Sequence, residues 1–349
     1  MDEALRGQEG QGAQTPSPGD GSKRKLWIFA GIVVALFVII PIIGVPAIVV
    51  LNGHQHHTDR LTAERDRPFA LPFHDLRMPH GVAVDTADNL YVTDVRTNRV
   101  LELAAGSSDP TELPFTGLDL SAGLVDESTG SLAVDASGNV YVTDTGHNRV
   151  VKLAAGSHAQ TVLPFNGLDT PKGVAVDAAG SVYVVDPSAS RILKLAAGSN
   201  SQTALPPTGG TLGAVAVDTG GTVYISVTGC RGRSSCASGL KRLAPGSNTW
   251  TGVESPSDQQ YVAVDTTGSV YSITTGKTAG VVKLAPGSDT WTLLPGQPRL
   301  LDPQGLAVDS RGNAYVTDHT GKRSPGMLFG MWQIGEDDAQ GFVLKLPAG

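Results

Sequence analysis

The 349-residue chain carries 33 acidic and 26 basic residues, a net charge of -7. Beyond Leu51 the balance is 29 acidic to 22 basic, so this part offers neither the basic footprint of a nucleic-acid binder nor a polybasic patch for anionic lipid. Forty-three glycines, 22 prolines and a charged fraction of only 17% suit a fold built from many tight turns.

Residues 1–25 are rich in Gly, Ser, Pro and Gln and end in Lys23-Arg24-Lys25. They hold too few apolar side chains to build a core and read as a disordered tail. Leu26–Leu51 is an uncharged run of 26 residues. As a helix it would rise about 39 Å, enough to cross a hydrocarbon core of roughly 30 Å. Pro41 and Pro46 would kink or shorten it. The Lys-Arg-Lys flank predicts a cytoplasmic N-terminus, a single transmembrane helix and everything after it outside the cell membrane. A cleaved signal sequence with Val45-Pro46-Ala47 at its end is the competing reading, and it exports the rest equally. Residues 52–67 form a polar juxtamembrane linker whose His54, His56 and His57 read as a hydrophilic spacer.

From residue 68 to 349 one unit repeats. An Ala-Val-Asp element recurs with its aspartate at Asp85, Asp135, Asp177, Asp218, Asp265 and Asp309, at spacings of 50, 42, 41, 47 and 44 residues. Each unit holds four short alternating segments, the signature of a propeller blade. First strands are predicted at 81–85, 131–135, 173–177, 214–218, 261–265 and 305–309. Second strands start at Leu90, Val140, Val182, Val223, Val270 and Ala314. Third strands run into Ala-Gly-Ser turns, and fourth strands read Thr-x-Leu-Pro-Phe at 111–115, 161–165, 203–206, 249–253 and 290–295. Proline suits an outer edge, where no N–H is needed. The sixth copy of the fourth strand is missing after Gly349, and Phe69-Ala70-Leu71-Pro72-Phe73 has its composition. The prediction is an all-β, six-bladed propeller in which this N-terminal strand completes the last blade.

Turns between first and second strands, and between third and fourth, are uniform and fall on one face. The opposite face carries the irregular connections: Ser121–Gly130, Val227–Gly239 and His319–Gly341. Scaffold turns repeat while ligand loops differ, which makes this variable face the binding face. Its candidate binding residues are His80, Ser131, Lys172, Tyr261 and Gln304 at the strand entrances, with His319, Phe329 and Trp332 in the longest loop. Cys230 and Cys236, six apart in one loop, read as a local disulfide outside the membrane, worth about 2–3 kcal/mol by loop entropy. The repeated first-strand aspartates read as turn formers. Asp94, Asp144, Asp186 and Asp318 read as organisers of the turn before Arg99, Arg149 and Arg191 rather than as cation ligands. The entrances show one histidine and no carboxylate, and no nucleophile–base set or kinase signature is legible. No catalytic residue, metal site or cofactor is therefore assigned.

The unit Gly-Val-Ala-Val-Asp, Val-Tyr-Val-Thr-Asp, Asn-Arg-Val-x-Lys-Leu resembles the NHL repeat. Asp144-Thr145-Gly146-His147-Asn148-Arg149 and the Leu-Pro-Phe-x-Gly-Leu strands are similar to the extracellular sensor domain of the actinobacterial receptor serine/threonine kinase D. The likeness is weaker in blades four and five, where the Asp-x-x-x-Asn-Arg turn is lost. It implies a propeller beyond a membrane helix that binds an extracytoplasmic protein, glycan or small molecule, here with a 25-residue tail where the kinase would stand. The alternative is an exported lyase or hydrolase of lactonase type with an unrecognised metal site.

Overall fold

The computed structural model describes residues 69–121, 130–228, 239–253, 261–274, 280–319 and 341–348. The tail, the predicted transmembrane helix and the linker lie outside these residues, as do Cys230, Cys236, Phe329 and Trp332. Among the described residues no helix is long and apolar enough to cross a membrane.

A short strand, β1 (Phe69–Ala70), precedes the first blade. Blade one holds β2 (Pro79–Val84), β3 (Leu90–Asp94), β4 (Arg99–Leu103) and β5 (Thr111–Glu112). Blade two holds β6 (Leu132–Val134), β7 (Val140–Asp144), β8 (Arg149–Leu153) and β9 (Gln160–Val162). Blade three holds β10 (Gly173–Val176), β11 (Val182–Asp186), β12 (Arg191–Leu195) and β13 (Gln202–Ala204). Blade four holds β14 (Thr211–Val217), β15 (Val223–Thr228), β16 (Gly239–Leu243) and β17 (Thr251–Val253). Blade five holds β18 (Val262–Val264), β19 (Val270–Thr274), β20 (Gly280–Leu284) and β21 (Trp291–Leu293). Blade six has β22 (Gly305–Val308), β23 (Ala314–His319) and β24 (Gly341–Leu346), and its fourth strand is β1. All six sheets are four-stranded, and every strand pair with a recorded register is antiparallel. The predicted closure is present, with Phe69 opposite Lys345 and the Leu71 N–H donating to Val343 O at 2.8 Å.

Alternation of side chains along each strand explains why the blades stack as a ring. Val82 faces a core shared with Ala307, Tyr315 and Val343 of blade six, whereas its neighbour Ala83 faces Leu132, Val140 and Val142 of blade two. Each blade thus contributes one face to each of two inter-blade cores, and no blade buries its apolar surface alone.

The fourth strands are shorter than predicted. The ladder strand ends before the proline, and Leu-Pro-Phe forms a separate three-residue turn. The Phe115 N–H donates to Leu113 O at 2.7 Å around Pro114, and Phe165 to Leu163 O and Phe73 to Leu71 O do the same at 2.8 Å. Proline presets the φ that such a turn requires, so it stops the edge strand rather than lining it.

Candidate functional site

On the regular face, each first-strand aspartate is a turn clamp. Asp85 Oδ1 accepts from Ala87 and Asn89 N–H at 2.8 and 2.9 Å, and its Oδ2 from Asn89 Nδ2 and the Tyr91 hydroxyl at 2.9 and 3.0 Å. Asn89 Oδ1 in turn accepts the Ala105 N–H at 2.9 Å, tying the two turns of this face together. Burial alone would raise the Asp135 carboxyl, but hydrogen bonds from Asn139, Tyr141 and Ser137 outweigh it and hold it below the usual range. The paired tyrosines are pushed upward by burial and by the aspartate beside them. Lysines on the third strand cover several of these rings, Lys194 Nζ lying 4.9 Å from the Tyr183 centroid. Every oxygen of this arrangement serves the scaffold.

The second aspartate series knits neighbouring connections on the variable face. Asp144 is fully buried, accepts the Asp119 N–H at 2.7 Å and pairs with Arg149 Nε at 2.6 Å. Arg149 Nη2 donates to Gly117 O at 2.9 Å, so carboxylate and guanidinium grip the connection from blade one. Asn148, in the left-handed region at φ 53°, accepts the Thr170 N–H at 2.7 Å and so holds the connection to blade three. Asp94–Asn98–Arg99 repeats the arrangement in blade one. The aspartates therefore organise more than the turn before the arginine: each binds the incoming inter-blade connection. Burial, only partly offset by N–H groups of Leu301, Asp302 and His319, raises the Asp318 carboxyl.

A third set of buried groups rings the axis. Thr93 Oγ1 accepts the Gly81 N–H at 2.8 Å and donates to Gly130 O of the next blade at 2.6 Å. Thr143 reaches Lys172 O at 3.2 Å, and Thr317 reaches His80 O at 2.6 Å, closing blade six onto blade one. Ser226 occupies the same position in blade four, while blade three has Val185 and blade five Ile273.

The sequence-predicted site residues sort into two registers. His80, Gly130, Lys172, Gly213, Gln260 and Gln304 are equivalent, one residue before the first strand's Gly-Val-Ala-Val core. Ser131 and Tyr261 stand one position further on, where Gly81, Gly173 and Gly305 stand in other blades. That position faces the following blade: a Cβ on Gly305 would lie 2.2 Å from His80 O, and one on Gly173 would meet Val215 at 3.4 Å. Ser131 is thereby placed at the blade two–three seam, not grouped with His80 and Lys172. Tyr261 spans the blade five–six seam and donates its hydroxyl to Gln304 Oε1 at 3.4 Å. His319 is likewise a seam residue, its Nε2–H donating to Pro79 O at 2.9 Å with Nδ1 4.0 Å from Asp302.

His80 is 6% exposed and Gln304 4%. The pairing of β2 with β3 slips between Pro79 and Val82, a bulge that re-aims His80. Burial first, then the positive groups of His319 and Lys172, depress the His80 imidazole from 6.5 to about 3, so it is neutral at physiological pH. Lys172 acts on it from two blades away.

Residues 76–103 and 130–153 match the model of the NHL repeat. These blades carry NHL repeats. Over 105 residues the NHL propeller is 42% identical to serine/threonine-protein kinase PknD of Mycobacterium tuberculosis, a match spanning 29% of this chain and 15% of the kinase. Among solved structures, a gluconolactonase from Xanthomonas campestris superposes with a TM-score of 0.56 at 15% identity, covering 82% of this chain and 93% of that one. A streptogramin B lyase gives 0.52 at 14% identity, covering 81% and 97%. At such identities the NHL propeller shares with these enzymes the fold alone. Among its described residues no group of three or more His, Cys, Asp or Glu side chains is placed to hold a metal ion.

Proposed function

We propose that the NHL propeller is an extracytoplasmic binding module, held at the cell membrane by the apolar segment 26–51, that recognises its ligand on the variable face. One observation carries this reading. The residues that repeat from blade to blade are engaged in scaffold bonds, whereas the entrance position varies, with His80, Lys172 and Gln304 standing where other blades have Gly130, Gly213 and Gln260. The irregular connections leave from the same face. The β23–β24 ladder ends on the pair His319–Gly341, and β15–β16 ends on Val227–Gly239, so both long loops spring from paired strand ends. The partial likeness to PknD supports a propeller in a membrane receptor setting.

Two measurements test the proposal. Protease added to intact cells should digest the propeller and spare an N-terminal tag; protection of the propeller would remove the export reading. The full-length chain in detergent should retain a component of the cell-envelope fraction through the variable face. Lactone turnover dependent on a divalent ion, with no such retention, would instead favour a hydrolase.

A further inference from the structure

Departures from the repeat gather where blades two and three meet on the variable face. The β7–β8 turn carries His147 where blades one and three have Thr97 and Ala189. Its Nδ1 lies 3.0 and 3.1 Å from the two oxygens of the fully buried Asp144, so Nδ1 holds the hydrogen, because a carboxylate only accepts. In the neutral ring Nε2 is then an acceptor, on a side chain 50% exposed. Blades one and three grip their connections without this ring, Asp94 through the Met78 N–H at 2.9 Å and Asp186 through the Asp169 N–H at 3.2 Å, so the scaffold does not require it. Next to it, Asn148 Oδ1 accepts the Thr170 N–H at 2.7 Å, as Asn98 Oδ1 accepts that of Leu120 at 2.8 Å. A hydroxyl thus replaces an apolar side chain. Thr170 is held at φ 53°, a left-handed conformation that β-branched residues rarely adopt and that collects at ligand clamps. Its Oγ1 donates to Asp169 O at 2.8 Å, so in the 2.5 Å contact with Ser188 Oγ the proton comes from the serine. The lone pairs of Ser188 Oγ are left to accept, and Asp169, itself exposed, adds a carboxylate at the neighbouring position.

We propose that this row at the blade two–three seam is a carbohydrate subsite, where His147 Nε2, Ser188 Oγ and the Asp169 carboxylate accept hydrogen bonds from sugar hydroxyls. The proposal rests on the reading of this face as the ligand face and names the chemistry recognised there. Acceptors on both sides of a seam call for a ligand that brings several donors, and the adjacent hydroxyls of a neutral sugar supply them. The carboxylates of Asp144 and Asp186, which would draw a cation, are withdrawn, each fully buried and paired with Arg149 or Arg191.

The test is an array of neutral oligosaccharides probed with the full-length chain in a detergent without a sugar headgroup, with immobilised lysine as the ammonium arm. Retention on at least one oligosaccharide, competed by the free sugar, is expected, without retention on lysine. His147→Asn keeps a donor for Asp144 but removes Nε2, and should weaken that binding roughly three- to tenfold. Ser188→Ala should weaken it to a similar degree. Thr97→Ala, the matching change in blade one, should leave it unaltered. Melting curves equal to wild type show that the variants fold. Silence on every oligosaccharide, equal retention on lysine, binding unchanged in both His147→Asn and Ser188→Ala, or an equal loss in Thr97→Ala would each overturn the subsite. If envelope retention persists in those cases, the binding-module reading stands with another ligand; if retention is also absent, both fall.

Discussion

His80 makes the fold sensitive to acid. Its imidazole titrates near 6.5 in an unfolded chain and at about 3 when buried beside His319 and Lys172. Between those values the unfolded state binds the extra proton, so the contribution of a neutral His80 is complete above about pH 6.5 and is lost as pH falls toward 3. At pH 4.5 the loss attributable to this residue is about 3 kcal/mol. Urea titrations at pH 7.5 and 4.5 should show wild type losing more stability than His80→Asn; equal losses would mean that the burial of His80 does not govern acid sensitivity. Asp144 provides a second test at this scale. Replacing it with Ala strands Arg149 and the Asp119 N–H and should cost about 3 kcal/mol in chemical denaturation. Arg311→Ala should cost under about 1 kcal/mol, because its bridge to Asp88, although 2.6 Å long, belongs to a side chain 61% exposed. These aspartates were legible from the repeat itself, since an Asp returning at a strand end needs a structural cause. Their partners were not, because Asp119 and Asp144 lie 25 residues apart and meet only when two blades stack.

At the level of strands and turns, the seams between blades are sealed by side chains that imitate backbone. Gln160 Oε1 accepts the Thr116 N–H at 3.0 Å and its Nε2 donates to Thr116 O at 2.9 Å, the two bonds a neighbouring strand would make. Gln202 treats Asn166 in the same way, and Trp250 Nε1 donates to Pro206 O at 2.8 Å from the corresponding place in blade four. A recurring Gln-Thr, Gln-Thr, Trp-Thr, Trp-Thr at residues 160, 202, 250 and 291 is the signal the sequence offers for these seams. Gln160→Ala should lower stability by about 1 kcal/mol at this exposed seam. Closer to the axis the tolerance is much smaller. A Cβ at residue 305 meets the His80 carbonyl at 2.2 Å, and backbone cannot retreat as a side chain can, so Gly305→Ala should cost more than about 3 kcal/mol. Gly106→Ala meets nothing within 4 Å and should lose only the roughly 1 kcal/mol of a left-handed φ of 77°. Denaturation midpoints of the two variants decide the ordering.

The ring as a whole depends on one two-residue strand. β1 completes blade six, and Thr317 with His319 fastens the same blade to the entrance of blade one. Removing residues 69–73 should open the blade six–one core formed by Phe73, Val82, Tyr315 and Val343 and lower the melting temperature by 10 °C or more, read by calorimetry. An unchanged midpoint would show that the remaining ties close the ring unaided. Blade count, strand order and this closure follow from the amino-acid sequence alone, because each rests on local signals: alternating strands, an Asp that opens a turn, a Leu-Pro-Phe that ends an edge, and a tally of strands that comes out one short. Which entrance residues share the mouth is a different kind of question. A one-residue step turns a strand side chain from the axis to the next blade, and the bulge at His80 shifts that step without any mark in the residue pattern. The one-position offset of Ser131 and Tyr261 is readable from the repeat. Only the stacked blades show that this position faces the next blade, because the direction of a side chain is set by neighbours some 40 residues away in the chain and in contact only once the ring has closed.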